Sequence, residues 1–186
     1  MKSAFLISMI LGTCLIANSV DAQNSDKQAK KQAKKEQKAL LQQQNMIAVT
    51  QAIDSLTFVV EADRLQSKAG RTINVSSNLN FIAVDHESAF IQIGSNAAIG
   101  SNGVGGVSVD SKVTKIDIDK NEKRGSYLIR MTCMSSAGIF DISISSNSDG
   151  QAVSATIGGN WGGKLTYQGK LVPLKQSTVY KGSPRY

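Results

Sequence analysis

Two cysteines, one histidine and one tryptophan are all that these residue types contribute to a chain of 186 residues. Each shortage excludes a class of chemistry. One histidine cannot build a His-rich zinc site. It also leaves His86 as the sole imidazole base for any nucleophile. His86 stands between Asp85 and Glu87 in a turn pattern and reads as an exposed turn residue. If an N-terminal export segment carrying Cys14 is removed, Cys133 stands alone and no intramolecular disulfide is available, so the domain must rely on its core. Absent too are a Gly-x-Ser-x-Gly elbow to seat a hydrolase serine and an apolar run of the roughly 20 residues that a membrane helix needs.

Several motifs come close and fail on their own spacing. Gly158–Lys164 reads as the start of a phosphate loop, but Leu165 follows where Ser or Thr is required, and the segment joins two strands with no helix after it. Asp117-x-Asp119-x-Asn121 begins like a calcium loop, yet Glu122 takes the glycine position and Leu128 the closing carboxylate. Asn147-x-Asp149-Gly150 closes on Thr156 and fails likewise. Glu61 with Asp63, and Asp117 with Asp119, are the same-face carboxylate pairs a glycosidase-type hydrolase would need. Both alternate with apolar residues as solvent-facing positions do, so the hydrolase stands as the lesser alternative. Cys133 lies on an apolar strand face and reads as a buried, inert thiol. The census predicts no catalytic set, no metal and no cofactor.

What is present begins with Lys2, then an apolar run at 4–16, then Val20-Asp21-Ala22. That order is the pattern of a secretory signal peptide, with cleavage between Ala22 and Gln23, and it predicts a periplasmic or secreted protein. An alternative stays open: Leu11-Gly12-Thr13-Cys14 resembles a lipobox, which would anchor the chain through Cys14. Residues 23–44 follow as a basic helical spacer, carrying Lys27, Lys30, Lys31, Lys34, Lys35 and Lys38 against Asp26 and Glu36. Its lysines are candidates for contact with an anionic surface. Nucleic acid is not expected, because the segment has no aromatic residue for stacking.

Residues 45–175 read as one β-rich domain with a leading helix. Met46, Val49, Ile53 and Leu56 share one helical face. From Thr57 the period falls to two. Phe58, Val60 and Ala62 form one face; so do Tyr127, Ile129, Met131 and Cys133, and again Phe140, Ile142 and Ile144. Asp149-Gly150 between two alternating runs predicts a hairpin. Val107, Val109 and Val113 conflict in parity with Ile116, which predicts a bulge near Thr114 and Lys115. The fold class is mainly β: an antiparallel β-sandwich or barrel of about 7–8 strands with one N-terminal helix. Residues 176–186 read as a flexible C-terminal tail.

The string Phe58-Val59-Val60-Glu61-Ala62-Asp63-Arg64-Leu65, then Gly70-Arg71, Asn80-Phe81 and Tyr167-x-Gly169-x-Leu171-Val172-Pro173, resembles a family of exported proteins from gut-type Bacteroidetes, the domain of unknown function four-two-five-one. Ile91-Gln92-Ile93-Gly94 departs from it in lacking a proline. The resemblance implies a β fold and an envelope location, and no activity. The Gly-rich stretch at 94–106 is a floppy connection or the flank of a ligand mouth. Trp161 and Tyr167 are the candidate ligand contacts, Trp161 alternatively folding back on the core. The expectation is a non-catalytic envelope protein that binds a lipid, a glycan or another envelope protein. The alternative is a structural tether without a small ligand.

Overall fold

A computed structural model describes the backbone of residues 18–94, 106–159 and 163–182, with side chains from residue 27 onward. The chain divides into two compact units, residues 1–42 and 43–186. Helix α1 (Asn18–Asp54) begins in the first and ends in the second. Its first part is rich in Ala, Lys and Gln and has no glycine or proline to break it. The expected spacer is therefore continuous helix with the turns that follow.

In the second unit α1 packs through Val49, Ala52 and Ile53, all buried, with Leu56 against the same cluster. Met46 was expected on this stripe but is 39 % exposed. It sits nearly a turn earlier than Val49, and the buried face begins only at Val49. The helix stops in a left-handed residue, Leu56 (φ 54), whose N–H donates to Ile53 O. Glycine usually fills such a cap. Leucine holds it here because its side chain joins the core cluster.

Nine strands follow: β1 (Thr57–Ser67), β2 (Thr72–Asn74), β3 (Phe81–Asp85), β4 (Ser88–Ile93), β5 (Val107–Asn121), β6 (Ser126–Ser135), β7 (Gly138–Ser146), β8 (Val153–Gly159) and β9 (Lys164–Pro173). All pairings are antiparallel. β1 pairs with β3 through 57–61 and with β9 on its other edge, which closes β1-β3-β4-β5-β6-β7-β8-β9 into an eight-stranded barrel. β2 is the extra strand, lengthening the β3 edge of β1 at 64–66. Closure removes exposed sheet edges from the body of the fold.

The parity conflict in β5 is resolved as the sequence implies. Val113 pairs with Cys133 and Lys115 with Thr132, leaving Thr114 as the extra residue. The Asp149-Gly150 turn joins β7 to β8, with Gly150 at φ 70. Its O accepts from Leu171 N, tying the turn to β9.

The inward faces of all eight barrel strands form one cluster with the end of α1. Phe58, Ile82, Ile129, Ile142, Ile144, Tyr167 and Leu171 are fully buried in it. Full burial of a side chain of this size stabilises by about 1.5–3 kcal/mol. Tyr167 reaches across from β9, and its hydroxyl donates to the backbone O of Gln92 on β4 at 3.2 Å.

A second apolar cluster lies on the outer side of β1, β3 and β4: Val59, Phe81, Ala83 and Phe90, with Val172, Leu174 and Val179 packed on it. The Phe81 and Phe90 rings stack at 5.9 Å. The cover is the chain after β9, a short 3-10 turn (Leu174–Gln176) and the residues beyond. Residues 177–182, read as part of a flexible tail, are therefore tied down. Gln92 is fully buried, and its amide ties them to the barrel through two of its four hydrogen bonds. Its Nε2 donates to Tyr180 O (2.8 Å) and Leu79 O (3.1 Å). Its Oε1 accepts from Gly182 N (2.7 Å) and Ser108 Oγ (3.1 Å). Apolar side chains on both faces of β3 require such a cover.

Candidate functional site

The sequence candidates scatter. Ala22 and Gln23 fall in the backbone of α1. Trp161 and most of the Gly-rich stretch, 95–105, lie outside the described residues. Tyr167 is fully buried in the barrel interior, so it is a core residue and offers no accessible surface to a ligand. Burial drives its phenol well above the ordinary range. His86 sits in the β3–β4 turn at φ 52, exposed, 3.8 Å from Asp85, with its N–H donating to Leu56 O. The turn is thereby bonded to the helix cap.

Three of the four carboxylates in the candidate pairs are already engaged, and Asp119 is exposed on β5. Glu61 is almost buried; one oxygen accepts from Ser177 Oγ (2.7 Å) and the other meets Lys170 Nζ (3.2 Å). Asp63 is the extra residue where the β1–β9 register shifts, and it pairs with Arg64. Asp117 is paired with Arg130 on the next strand at 3.2 Å.

Cys133 is fully buried on the inward face of β6. Loss of hydration pushes its thiol from 9.0 up to about 11; a hydrogen bond with Ser111 opposes the shift and the charge of Asp141 adds to it. A thiol held protonated and enclosed does not act as a nucleophile. Native protein should resist iodoacetamide at about pH 8 and label fully in urea, read by mass; rapid labelling of the native state would refute the burial. Because the folded pKa is raised, the group's contribution to stability is intact below 9.0 and is lost as pH climbs toward 11.

The open space is on the outside of the barrel. Consecutive strands place Lys115, Thr132, Asp141, Gly158 and Lys164 in one row across β5 to β9. Asp117, Arg130, Ser143, Thr156 and Thr166 form the next row. Two strands in register bring such side chains within about 5 Å of each other. Thr132 donates to Asp141 (2.9 Å), and the hydroxyls of Thr156 and Thr166 are 3.1 Å apart. Over these rows lies a concavity of about 800 Å³, lined by four cations (Lys68, Lys115, Arg130, Lys164) against two carboxylates (Asp117, Asp141). Gly158, Gly159 and Gly163 also line it. At Gly158 a Cβ would meet nothing within 4 Å, so the floor is open where a side chain would otherwise stand. A second hollow of about 550 Å³ includes Arg64, Ser145, Ser154, Gln168 and Lys170. Ser145 and Ser154 pair directly beside Ser143 and Thr156, so the polar surface continues from one hollow to the other.

This barrel is apolar inside and, apart from the exposed Met134–Ile139 pair, mostly polar outside over β5–β9. A lipid-spanning barrel has the reverse pattern. Among the described residues no helix is long and apolar enough to cross a membrane. The sequence shows that Arg130, Thr132, Asp141 and Ser143 point outward. It does not show that five strands line them up; that takes the register.

A family model described as a domain of unknown function, DUF4251, matches residues 40–171. Comparison with curated proteins gives no match. Among solved structures the chain is similar to a DUF4251 family protein from Bacteroides eggerthii DSM 20697, known from a crystal structure at 1.95 Å resolution. The two are 28 % identical with a TM-score of 0.60, over 72 % of this chain and 90 % of that one.

Proposed function

Since the chain belongs to the DUF4251 family, which carries no assigned activity, we propose from its own geometry that it is an exported cell-envelope protein that binds a ligand without transforming it, and that the ligand lies on the outside of the barrel over β5–β9. The observation that carries this reading is the contrast between the two faces. The interior is lined by the buried side chains of Phe58, Phe140, Tyr167 and their neighbours, which favours a ligand on the outside over a lipid carried within. The outer face has the large hollow, its hydroxyls and its excess of cations. Threonine and serine hydroxyls with glycine-floored space suit a polyhydroxylated ligand, and the lysines and arginine at its margins suit a negatively charged one. An acidic oligosaccharide lying across the strands fits both. Export is supported by Lys2, the apolar run at 4–16 and Val20-Asp21-Ala22.

The test is a titration of isotope-labelled protein with oligogalacturonate, followed by amide shifts. Expected shifts cluster in 115–117, 130–132, 141–143 and 156–158. Gly158→Val adds to the open floor a side chain whose Cβ meets nothing within 4 Å, and it favours the strand. It should keep the melting temperature and weaken binding at least about ten-fold. Shifts confined to other strands, or binding unchanged in Gly158→Val, would set the reading aside.

A further inference from the structure

We infer that the first part of α1 is an electrostatic docking face for the anionic headgroup surface of a bilayer. The inference is independent of what the barrel binds. Lys27, Lys30, Lys31, Lys34, Lys35 and Lys38 are all exposed, and none has an ion pair among the described residues. At 3.6 residues per turn the six fall within an arc of about 140°, and Glu36 lies on the far side. At about 1.5 Å per residue the row is about 16 Å long. The remaining positions between them are Gln28, Ala29, Gln32, Ala33 and Gln37. The helix therefore has one cationic face, and an opposite face of neutral residues with Glu36 as its single charge.

This arrangement opposes the helix that carries it. Lys27 and Lys31, Lys30 and Lys34, Lys31 and Lys35, and Lys34 and Lys38 stand four apart, where like charges repel. Spreading the same lysines around the helix would relieve that repulsion, so their confinement points to a partner of opposite charge on one side. The chemistry of the face narrows the partner. It holds no arginine fork for bidentate recognition and no aromatic platform for bases. Six point charges along one broad face match a flat array of phosphates. Between Lys27 and Lys38 the opposite face lacks the apolar residues with which interfacial helices sink into the acyl region, and the exposed Leu40 comes only after the row, so contact along it stays at the headgroups. The apolar run at 4–16 ends 11 residues before Lys27. Cut after Ala22, the chain carries Lys27 as its fifth residue; held at Cys14, it carries the row from 13 residues past the lipid anchor.

The test uses the chain expressed with its export segment, purified as processed, and sedimented with phosphatidylcholine vesicles with or without roughly 30 % phosphatidylglycerol. The comparison variant exchanges neighbours, K30A/A29K with K34A/A33K and K38A/A39K, which keeps composition and net charge while moving three lysines off the face. The native chain should bind the acidic vesicles, ignore the neutral ones, gain helicity on binding, and release as salt rises from about 0.1 M to about 1 M. At about five-fold per lysine, the exchanged variant should bind on the order of a hundred-fold more weakly. Equal binding by the two forms, equal binding to neutral vesicles, or retention at high salt would each overturn the docking face. So would binding to soluble polyphosphate as tight, per phosphate, as to the vesicles.

Discussion

Gln92→Met is expected to lower stability by about 3 kcal/mol and to release the chain after Leu174 from the barrel. Methionine nearly matches the volume, so little of the loss comes from a cavity. It comes from the amide. Both Nε2 protons and both Oε1 acceptor positions are used, and the four partners come from three places: the loop before β3 (Leu79), β5 (Ser108) and the C-terminal segment (Tyr180 and Gly182). Leaving a buried polar group without its partner costs about 1–3 kcal/mol, and water can reach only the groups on the departing segment. The segment's other holds are Tyr180 N to Asn78 O, Ser177 to Glu61, the contact of Val179 with the outer cluster, and the exposed Lys181 ammonium 5.2 Å over the Phe90 ring. Those are too few to keep it seated. Hydrogen exchange at 177–182 should accelerate strongly while exchange in β6–β8 stays near the global limit. Protection at 177–182 equal to that of the native chain would show that apolar contact, not the Gln92 amide, holds the segment.

Gln92 also marks where the sequence stops being readable. Local rules sufficed wherever the deciding partner was near in sequence. Asp149-Gly150 predicts the β7–β8 turn because glycine takes the positive φ found there. Val113 and Ile116 predict the bulge at Thr114 because two inward residues of opposite parity cannot share one regular strand. Closure had no such signal. β1 and β9 lie about a hundred residues apart, and alternating strands suit a sandwich as well as a barrel. The docking of 177–182 leaves a trace in the sequence. Phe81, Ile82, Ala83 and Val84 run apolar without alternation, and β3 is indeed buried on both faces. A strand of that kind needs a cover, and the chain after β9 provides it. The candidate site was half readable. The outward parity of Arg130, Thr132, Asp141 and Ser143 is in the sequence; their alignment with Lys115 and Lys164 rests on the registers of four strand pairs.

The closure itself can be tested at one residue. Gly169 pairs with Ala62 on β1 and with Val153 on β8, while its neighbour Gln168 pairs with Arg64, so Asp63 is squeezed out of the ladder beside it. The bulge presses the β1 backbone toward position 169. A Cβ there would run into the carbonyl O of Glu61, and would lie 2.9 Å from Ala62 Cα and 3.0 Å from Glu61 C. These are backbone atoms, which cannot swing aside as the end of a side chain can. Gly169→Ala therefore forces β1 and β9 apart at the seam that makes the sheet a barrel, with an expected loss of about 3 kcal/mol. Gly158→Ala is the matched control, one strand away with open space at the same atom. It should be neutral or slightly stabilising, because alanine also restricts the unfolded chain. Urea denaturation of the two variants separates the causes. A large loss for both would mean that these strands need glycine for its backbone freedom. A loss at Gly169 alone assigns the effect to the close approach of β1, and no loss at either would mean that the seam has slack the bulge does not use.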